Sequence, residues 1–488
     1  MDRRIYTFLL CLLCGTAFTN NIEVTNVSLT DQNTGNGTTQ IQFDLGWENG
    51  WRISVGPANY DAAWIFAKFR VNNGDWQHCT LNPGGTSAPG GVTISVADNV
   101  GAFIYRSTDG SGDVDRQDLQ LQWSYDDDGV SAVDIVDVQV FAVEMVYVPE
   151  SAFYLGTVAS DPFTADNEFR EGSSYDPYRV TGESAITVGE NAGNLNYGTP
   201  FSRSAIGDRL GPIPAAFPKG FAAFYSMKYE MSQDQWIAFF NTLSSTAKGT
   251  NDITDENGKN SDVLNRRNAV SWSGTGNATT SLPAVALTFT SNSRMLAYLD
   301  WAGLRPMTEL EYEKACRGPR TPIAGEFAWG TANLTTEAYT LANEGTSGEG
   351  ISNPGEGTGN AAYFSTMSTF GPLRVGSIAA STPNQSREET GGSYYGIMEL
   401  SGNVYERAIT VGTPTGRDFT GVHGDGTLDG AGRHNVTAWP AGDNGIGYRG
   451  ASYDTSPPLL RVADRSDAAT ELTGSNSRLG FRGVRSAN

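Results

Sequence analysis

The segment 449–466, RGASYDTSPPLLRVADRS, combines residue types that are typical of a site. A Gly-Ala-Ser-Tyr turn is followed by polar side chains that are interleaved with Arg461, Asp464 and Arg465. Yet the segment contains no cysteine, which would be a soft metal ligand, and no histidine, which would move protons. The first question about this chain is therefore whether a segment built like an active site still does chemistry.

The sequence also lacks residues that other catalytic arrangements need. The chain has three histidines, which leaves little material for a Ser-His-Asp arrangement. It also shows no Gly-x-Ser-x-Gly nucleophile elbow between a strand and a helix. Hydrolysis by paired carboxylates stays open, because acidic residues are abundant and their spacing alone does not select a pair.

Composition and charge exclude several classes of partner. The net charge is −21 and the pI is near 4.5. Because such a field repels phosphates, nucleic acid and anionic lipid surfaces are poor partners. No run of about 18 apolar residues follows the N-terminal segment, so we expect no membrane insertion.

The N-terminus predicts export. Residues 1–19 have Arg3 and Arg4 before a short apolar stretch, and then small residues suited to cleavage. We expect an exported protein that is extracellular, at the cell surface or periplasmic. Beyond this signal peptide the only cysteines are Cys79 and Cys316, which predict two separate buried thiols rather than a disulfide framework.

The elements that must position any site divide the chain into two parts. Residues 20–143 alternate apolar and polar residues between turn clusters, which predicts an all-β sandwich. Residues 144–488 predict an α+β, loop-rich domain, with an irregular insertion at 156–218. Capping boxes at Ser232 and Thr308 mark the starts of two helices in this second part.

Several segments of the second part occur in an order that points to a family. They are EMVYVPESAFYLG (144–156), YSMKYEMSQDQWIAFFN (225–241), LPAVALTFTSNSRMLAYLDWAGLRPMTELEYEKACRG (282–318), FAWG (327–330), YYGIMELSGNVYER (394–407) and RGASY…LGFRGVR (449–485). Together they resemble the formylglycine-generating enzyme family, also called the sulfatase-modifying factor family, over about 144–485. The resemblance implies a loop-rich variant of the C-type lectin fold.

The resemblance also answers the opening question about chemistry. Enzymes of this family hold copper between two thiolates, and the matching positions here are Thr455 and Leu460. Leu460 has no donor atom, and the Thr455 hydroxyl is a hard ligand that Cu(I) does not favour. We therefore expect no copper and an absence of the family's catalysis.

A second branch of the family uses non-heme iron, which needs clustered histidines. His423 and His434 lie in one loop, and with Asp425 or Asp429 they form a candidate facial triad. The more ordinary expectation is that these loop histidines bind backbone groups.

The resemblance further implies a structural calcium ion. The family ligands match Glu399, Gly402, Val404 and Glu406, and hard oxygen donors at this spacing suit Ca²⁺. The ion would hold together a core with little regular secondary structure.

The remaining role that the family implies is binding through the C-terminal segment. The candidate ligand-binding residues are Asp454, Thr455, Ser456, Asn476, Trp439 and His423. We weigh two alternatives for Trp439, an exposed contact for a sugar or a protein and an inward loop anchor. The arginines at 461, 465 and 482 are expected to hold the frame through ion pairs.

The expected function is that of a secreted, non-catalytic binding or assembly protein. Its partner would be an extracellular protein, a glycan or further copies of itself. The alternative is a metal-dependent oxidase that acts through an unrecognised site.

Overall fold

The computed structural model describes residues 22–162, 167–198, 204–382, 386–471 and 474–487. The predicted signal peptide, 1–19, lies outside the described residues. Within them, no helix is both long and apolar enough to cross a membrane.

Strands dominate the described chain. The first part forms β1 (Glu23–Asn33), β2 (Thr38–Arg52), β3 (Asp61–Val71), β4 (Gln77–His78), β5 (Leu81–Ser87), β6 (Val92–Val96), β7 (Ala102–Arg106), β8 (Gly110–Ser124) and β9 (Val136–Val148). The second part adds β10 (Phe153–Leu155), β11 (Phe169–Glu171), β12 (Tyr178–Val180), β13 (Leu195–Tyr197), β14 (Phe224–Met227), β15 (Arg305–Pro306), β16 (Leu341–Ala342), β17 (Gly350–Ile351), β18 (Glu406–Ile409), β19 (Ile446–Arg449) and β20 (Gly483–Ser486).

Helices are few and short, and they belong to the second part. They are α1 (Gln233–Asn241), α2 (Ser245–Asn251), α3 (Asn292–Trp301), α4 (Glu309–Arg317), α5 (Ser377–Ser381) and α6 (Pro414–Arg417). Both predicted capping boxes are confirmed, with Ser232 bound to Gln235 before α1 and Thr308 bound to Glu311 before α4. These caps satisfy backbone N–H groups that a helix start leaves without partners.

A single sheet joins the two parts of the chain. Its order is β15-β20-β14-β9-β3-β7-β6, with β4 beside β3, and β9 carries the chain from the first part into the second. A second sheet, ordered β1-β2-β8-β5, packs against the first-part strands of that sheet. The chain is thus mostly β, with an α+β C-terminal part built onto one sheet of the N-terminal part.

Strand β3 shows why the two parts are coupled. Its side chains are buried on both faces, whereas a strand of a two-sheet sandwich usually exposes one face to solvent. Ile65 and Phe69 belong to the core beneath the four-stranded sheet. Trp64 and Phe66 belong to the core that α1 and α3 share. Because successive side chains of a strand point to opposite faces, β3 contributes side chains to both cores.

Buried charges also tie the parts together. The Lys228 Nζ lies 2.5 Å from a carboxylate oxygen of Glu144 and 3.8 Å from one of Asp61. The Lys68 Nζ donates to the carbonyl oxygens of Trp301 (2.8 Å) and Gly426 (2.5 Å). Because unpaired buried charges are costly, these contacts favour one fixed arrangement of the two parts.

The predicted irregular insertion contains short strands that pack inward. Its strand β12 pairs with β10, which lies just before the insertion, and its strands β11 and β13 pair with each other. Phe169, Leu195 and Tyr197 belong to the same core as Trp64. The segment is thus a layer over the C-terminal core within the described residues.

Candidate functional site

Buried ion pairs fix the frame of the 449–466 segment. Arg449 at the end of β19 bonds Glu309 and Glu313 of α4, at 3.2 and 2.8 Å. Arg465 bonds both carboxylate oxygens of Glu309, at 2.7 and 3.0 Å. These side chains are at most 1% exposed. The bidentate Arg465–Glu309 pair and the Arg449 bridge between Glu309 and Glu313 make the frame rigid, as expected for Arg465.

The Thr455 hydroxyl closes its own turn. It accepts a hydrogen bond from the Ser452 N–H (2.9 Å) and donates to the Ser452 carbonyl oxygen (2.8 Å). Thr455 is 8% exposed. The hydroxyl is therefore used within the turn, and the expected contact between this group and a ligand is not available.

Leu460 is at the second position that matches a copper thiolate. It ends a short 3-10 turn, Pro457–Leu460, and is fully buried in a cluster with Trp329 and Tyr363. A hydrocarbon side chain in an apolar cluster has no ligand to offer. The two residues consequently do not fit copper.

The two described cysteines do not replace the missing pair. Cys79 and Cys316 are both free and fully buried, and they lie in different hydrophobic clusters. Burial raises the pKa of both thiols, that of Cys316 to about 12, so neither forms a thiolate readily. The prediction of two separate buried thiols is confirmed.

Two of the expected ligand-binding residues, Asp454 and Asn476, come together around Arg478. The Arg478 Nε donates to a carboxylate oxygen of Asp454 at 2.9 Å. The backbone N–H of Arg478 donates to the side-chain oxygen of Asn476, also at 2.9 Å. Arg478 is about half exposed. Ser456 is exposed beside Thr455. The structure thus forms a polar surface at this turn.

Trp439 does not belong to that surface. It is 4% exposed and packs in the large core, where its indole N–H donates to the Val422 carbonyl oxygen at 2.8 Å. Its ring lies 5.5 Å from that of His434. The expected exposure of Trp439 is not observed, and the inward loop anchor is the alternative that holds, because the indole finds both an apolar pocket and an acceptor.

His423 lies at the joint between the two parts. Its Nε2 accepts the N–H of Ser486 in β20 at 3.0 Å, and its Nδ1 is 3.9 Å from Asp98. Burial, with Arg485 nearby and against the opposing effect of Asp98, lowers the pKa of His423 to about 4. The expected ligand contact for His423 gives way to a structural one.

The candidate iron triad does not form. Within the described ranges, no group of three or more His, Cys, Asp or Glu side chains is arranged to hold a metal ion. Asp425 instead accepts from the Thr427 N–H and hydroxyl, and Asp429 accepts from Ala431 and Arg433 N–H groups. These acids close turns in the loop.

Two exposed phenylalanines beside the turn were not found from the sequence. Phe364 and Phe370 are 71% and 72% exposed, at the two ends of the loop 364–370. The Phe364 N–H donates to the Thr455 carbonyl oxygen at 3.1 Å. The Arg266 guanidinium lies 4.6 Å above the Phe370 ring. In the sequence, the only indication of these exposed rings was the presence of phenylalanines in the polar segment FSTMSTF.

We call this region the Thr455 surface. Its members are Arg266, Phe364, Phe370, Asp454, Ser456 and Arg478. Two aromatic side chains that are exposed beside charged groups make this region a candidate binding surface.

A buried acidic cluster lies beneath the predicted calcium motif. Glu406 is fully buried, and one of its oxygens accepts from the Arg482 Nε at 2.5 Å. Glu399 accepts from the Gly376 N–H at 2.6 Å. The second carboxylate oxygen of each, Oε2, is buried without a partner among the described residues. Burial raises the pKa of both acids, that of Glu399 to about 7.

Glu230 completes this cluster and was not predicted. Its two oxygens accept from the Val404 N–H (3.0 Å) and the Asn403 amide (2.5 Å). Burial, followed by the charges of Glu399 and Glu406, raises its pKa well above the usual range. Glu399 and Glu406 therefore each present one carboxylate oxygen without a described partner, whereas the three glutamates do not form a three-carboxylate metal site among the described residues.

The chain is similar to known proteins over its C-terminal part. The family described as the sulfatase-modifying factor enzyme 1-like domain matches residues 175–487, which is more than half of the chain. The solved structure titled "Structure of PvdO from Pseudomonas aeruginosa" has 16% identity and a TM-score of 0.31, covering 71% of this chain and 95% of that one. No curated protein matches significantly.

Proposed function

Since the chain belongs to the sulfatase-modifying factor family, we propose that it is an exported, non-catalytic protein that binds a partner polypeptide through the Thr455 surface. The observation that carries this proposal is the exposure of Phe364 and Phe370 beside the Thr455 turn. We extend the proposal to the fold of the C-terminal part, which we take to be the loop-rich C-type-lectin-like fold of the family.

The non-catalytic part of the proposal rests on the donor atoms at the turn. Copper chemistry in this family needs two soft ligands, whereas Leu460 offers none and the Thr455 oxygen is occupied within its turn. Leu460 and Thr455 therefore supply no step of the family's copper-dependent reaction. An oxidase would need a different site, and the buried thiols are poor candidates because burial suppresses their ionisation.

The binding part rests on the chemistry of the exposed groups. Phe364 and Phe370 provide apolar area without polar atoms, and Arg266 and Arg478 provide charge beside them. Aromatic residues and arginine are enriched where interfaces gain most of their free energy. A polypeptide supplies both apolar side chains and carboxylates to such a surface. The two phenylalanine rings have no polar atoms with which to bind the hydroxyl groups of a glycan.

We also propose that calcium stabilises the frame beneath this surface. Glu399 and Glu406 would supply carboxylate oxygens, and Gly402 and Val404 would supply carbonyl oxygens. The ion would offset the repulsion among buried acids that Arg482 offsets only in part. Its role would be structural, since these residues lie in the interior.

Selection of peptides on the folded protein tests the binding proposal. A random displayed peptide library is panned on the wild-type chain, and the affinities of the selected peptides are measured. The variant Phe364→Ala/Phe370→Ala should weaken binding at least tenfold, which is about 1.4 kcal/mol. Val55→Ala is the matched control, because Val55 is 84% exposed in the first part of the chain.

Two outcomes would contradict the proposal. Selected peptides that bind the double variant as tightly as the wild type would remove the Thr455 surface from binding. A glycan array or sedimentation experiment in which Phe364→Ala/Phe370→Ala abolishes sugar binding or self-association, while no peptide is selected, would replace the polypeptide with that partner.

A further inference from the structure

A strained turn borders the Thr455 surface. The backbone N–H of Asn265 donates to the Asn268 carbonyl oxygen at 3.0 Å, and the reverse bond is 2.9 Å long. Arg266 and Arg267 are therefore the two central residues of a tight turn, and both have positive φ angles, 49° and 61°. Such turns favour Asn-Gly, because other side chains are crowded at positive φ. Two successive arginines are thus unfavourable for the backbone, and strain of this kind clusters at functional sites.

The second arginine of the turn anchors it to the protein. Arg267 is buried, and its guanidinium donates to the Pro372 carbonyl oxygen at 2.6 Å and pairs with Glu349. The turn also lies directly against Gly371, where a Cβ atom would be only 2.4 Å from the Arg266 carbonyl oxygen. These contacts hold the strained backbone in place and set Arg266 beside the loop 364–370.

The charge of Arg266 is available to a partner. Its side chain is exposed, and its guanidinium lies 4.6 Å above the Phe370 ring. Arg478 differs, because it pairs with Asp454 at 2.9 Å. In the part of the chain that the structure describes, Arg266 has the aromatic contact but no ion pair. A phenyl ring is not a carboxylate, so the charge-assisted hydrogen bonds that a guanidinium forms best are not yet made.

Apolar side chains surround this cation. Val263 and Leu264 precede the turn and are 70% and 61% exposed, and Phe370 lies beneath the guanidinium. A carboxylate matches the planar fork of arginine, and apolar neighbours of that carboxylate would cover the exposed hydrocarbon. The net charge of −21 opposes a highly anionic partner, which leaves a single carboxylate in an apolar segment as the better match.

We infer that Arg266 recognises one Asp or Glu carboxylate, flanked by apolar residues, in the partner polypeptide. The inference rests on the proposed function and adds the chemistry by which the partner is selected. Because the turn and the Phe370 ring already hold the guanidinium, little ordering of this side chain is needed on binding. Arg266 is accordingly a specificity-determining residue.

A double-mutant cycle on selected peptides tests the inference. In the tightest peptide selected on the wild-type chain, each Asp or Glu is replaced in turn by Asn or Gln. One replacement should weaken binding to the wild type about tenfold, as for a close charge pair at an interface. The same replacement should leave binding to Arg266→Gln nearly unchanged, because the two groups act as a pair.

A glycine variant separates binding from folding. Arg266→Gly should also weaken the peptide about tenfold but should not lower the melting temperature, because glycine suits a positive φ. Arg209→Gly is the matched control, since Arg209 also has a positive φ, 57°, in the loop that Asp208 ties to Arg417. This variant should bind the peptide as the wild type does.

The outcomes distinguish this inference from the proposed function. If no peptide is selected, or if selected peptides bind Phe364→Ala/Phe370→Ala as tightly as the wild type, the proposed function fails and the inference fails with it. If binding requires the phenylalanines but no peptide carboxylate is coupled to Arg266, only the inference is overturned. A lower melting temperature of Arg266→Gly would overturn the role of the strained turn.

Discussion

The Phe364 N–H donates to the Thr455 carbonyl oxygen at 3.1 Å, and the Phe364 ring is 71% exposed. The backbone contact holds an apolar ring at the turn where enzymes of this family carry a copper ligand. A position that bears a reactive thiol in the enzymes is here a buried hydroxyl beside an exposed aromatic ring.

The exposure of these rings predicts that their removal leaves the fold intact. Phe364→Ala/Phe370→Ala should change the free energy of unfolding by within about 0.5 kcal/mol per site, as is usual for surface substitutions. Denaturant unfolding of the variant and the wild type measures the difference. A loss of several kcal/mol would mean that the loop 364–370 packs more tightly than its exposure indicates.

The buried acidic cluster predicts that chelation destabilises the protein. An ion that binds only the folded state raises its stability by mass action. Addition of a calcium chelator should lower the melting temperature of the wild type. In Glu399→Gln, which keeps an acceptor for the Gly376 N–H, the chelator should have little effect. If the melting temperature of the wild type changes with neither chelator nor added calcium, calcium binding would be contradicted.

His423 predicts a pH-dependent component of stability. Its pKa is about 4 in the folded chain and near 6.5 when unfolded, so the unfolded state binds more protons between these values. Stability from this group is complete above about pH 6.5 and is lost as the pH falls toward 4, by up to about 1.4 kcal/mol per pH unit.

The comparison with His423→Gln isolates that component from other acids. Glutamine can still accept the Ser486 N–H but does not titrate. The unfolding free energy of the wild type, relative to that of the variant, should therefore decrease as the pH falls from 6.5 to 4. Parallel curves over this range would show that His423 titrates normally.

Glu309 predicts a large loss of stability on substitution. It pairs with both Arg449 and Arg465 in the interior, so Glu309→Ala leaves two buried cations without this partner. Breaking such a buried pair costs about 3–5 kcal/mol. Glu344→Gln is the control, because this acid is half exposed and 3.9 Å from Arg267. Equal stabilities of the two variants would refute the role of the frame.

Local patterns in the sequence predicted the helix starts, and the family resemblance predicted that Arg465 and Arg482 hold the frame through ion pairs. The capping boxes at Ser232 and Thr308 depend on neighbours within one turn, so their chemistry is visible in the sequence. Family segments predicted Thr455 and Leu460 as unsuitable for copper. The caps need only short-range spacing, and the copper positions need only a motif, whereas the acids that pair with the arginines were not identified.

Features that depend on long-range packing were not predicted. Trp439 lies in a Pro- and Gly-rich loop, and only tertiary contacts bring it to the Val422 carbonyl and an apolar core. The sheet shared by β9, β14 and β20 joins strands far apart in the chain. Glu230 reaches the calcium motif through residues 403 and 404, which no sequence pattern specifies.

The most direct test of a non-catalytic site is the metal content and oxygen consumption of the full chain. The protein is incubated anaerobically with Cu(I), washed, and assayed for copper and for oxygen uptake with a cysteine-containing peptide. We predict copper well below one equivalent and no peptide-dependent oxygen uptake, because neither Thr455 nor Leu460 offers a soft donor. Copper at one equivalent, together with oxygen uptake that depends on the peptide cysteine, would contradict the account.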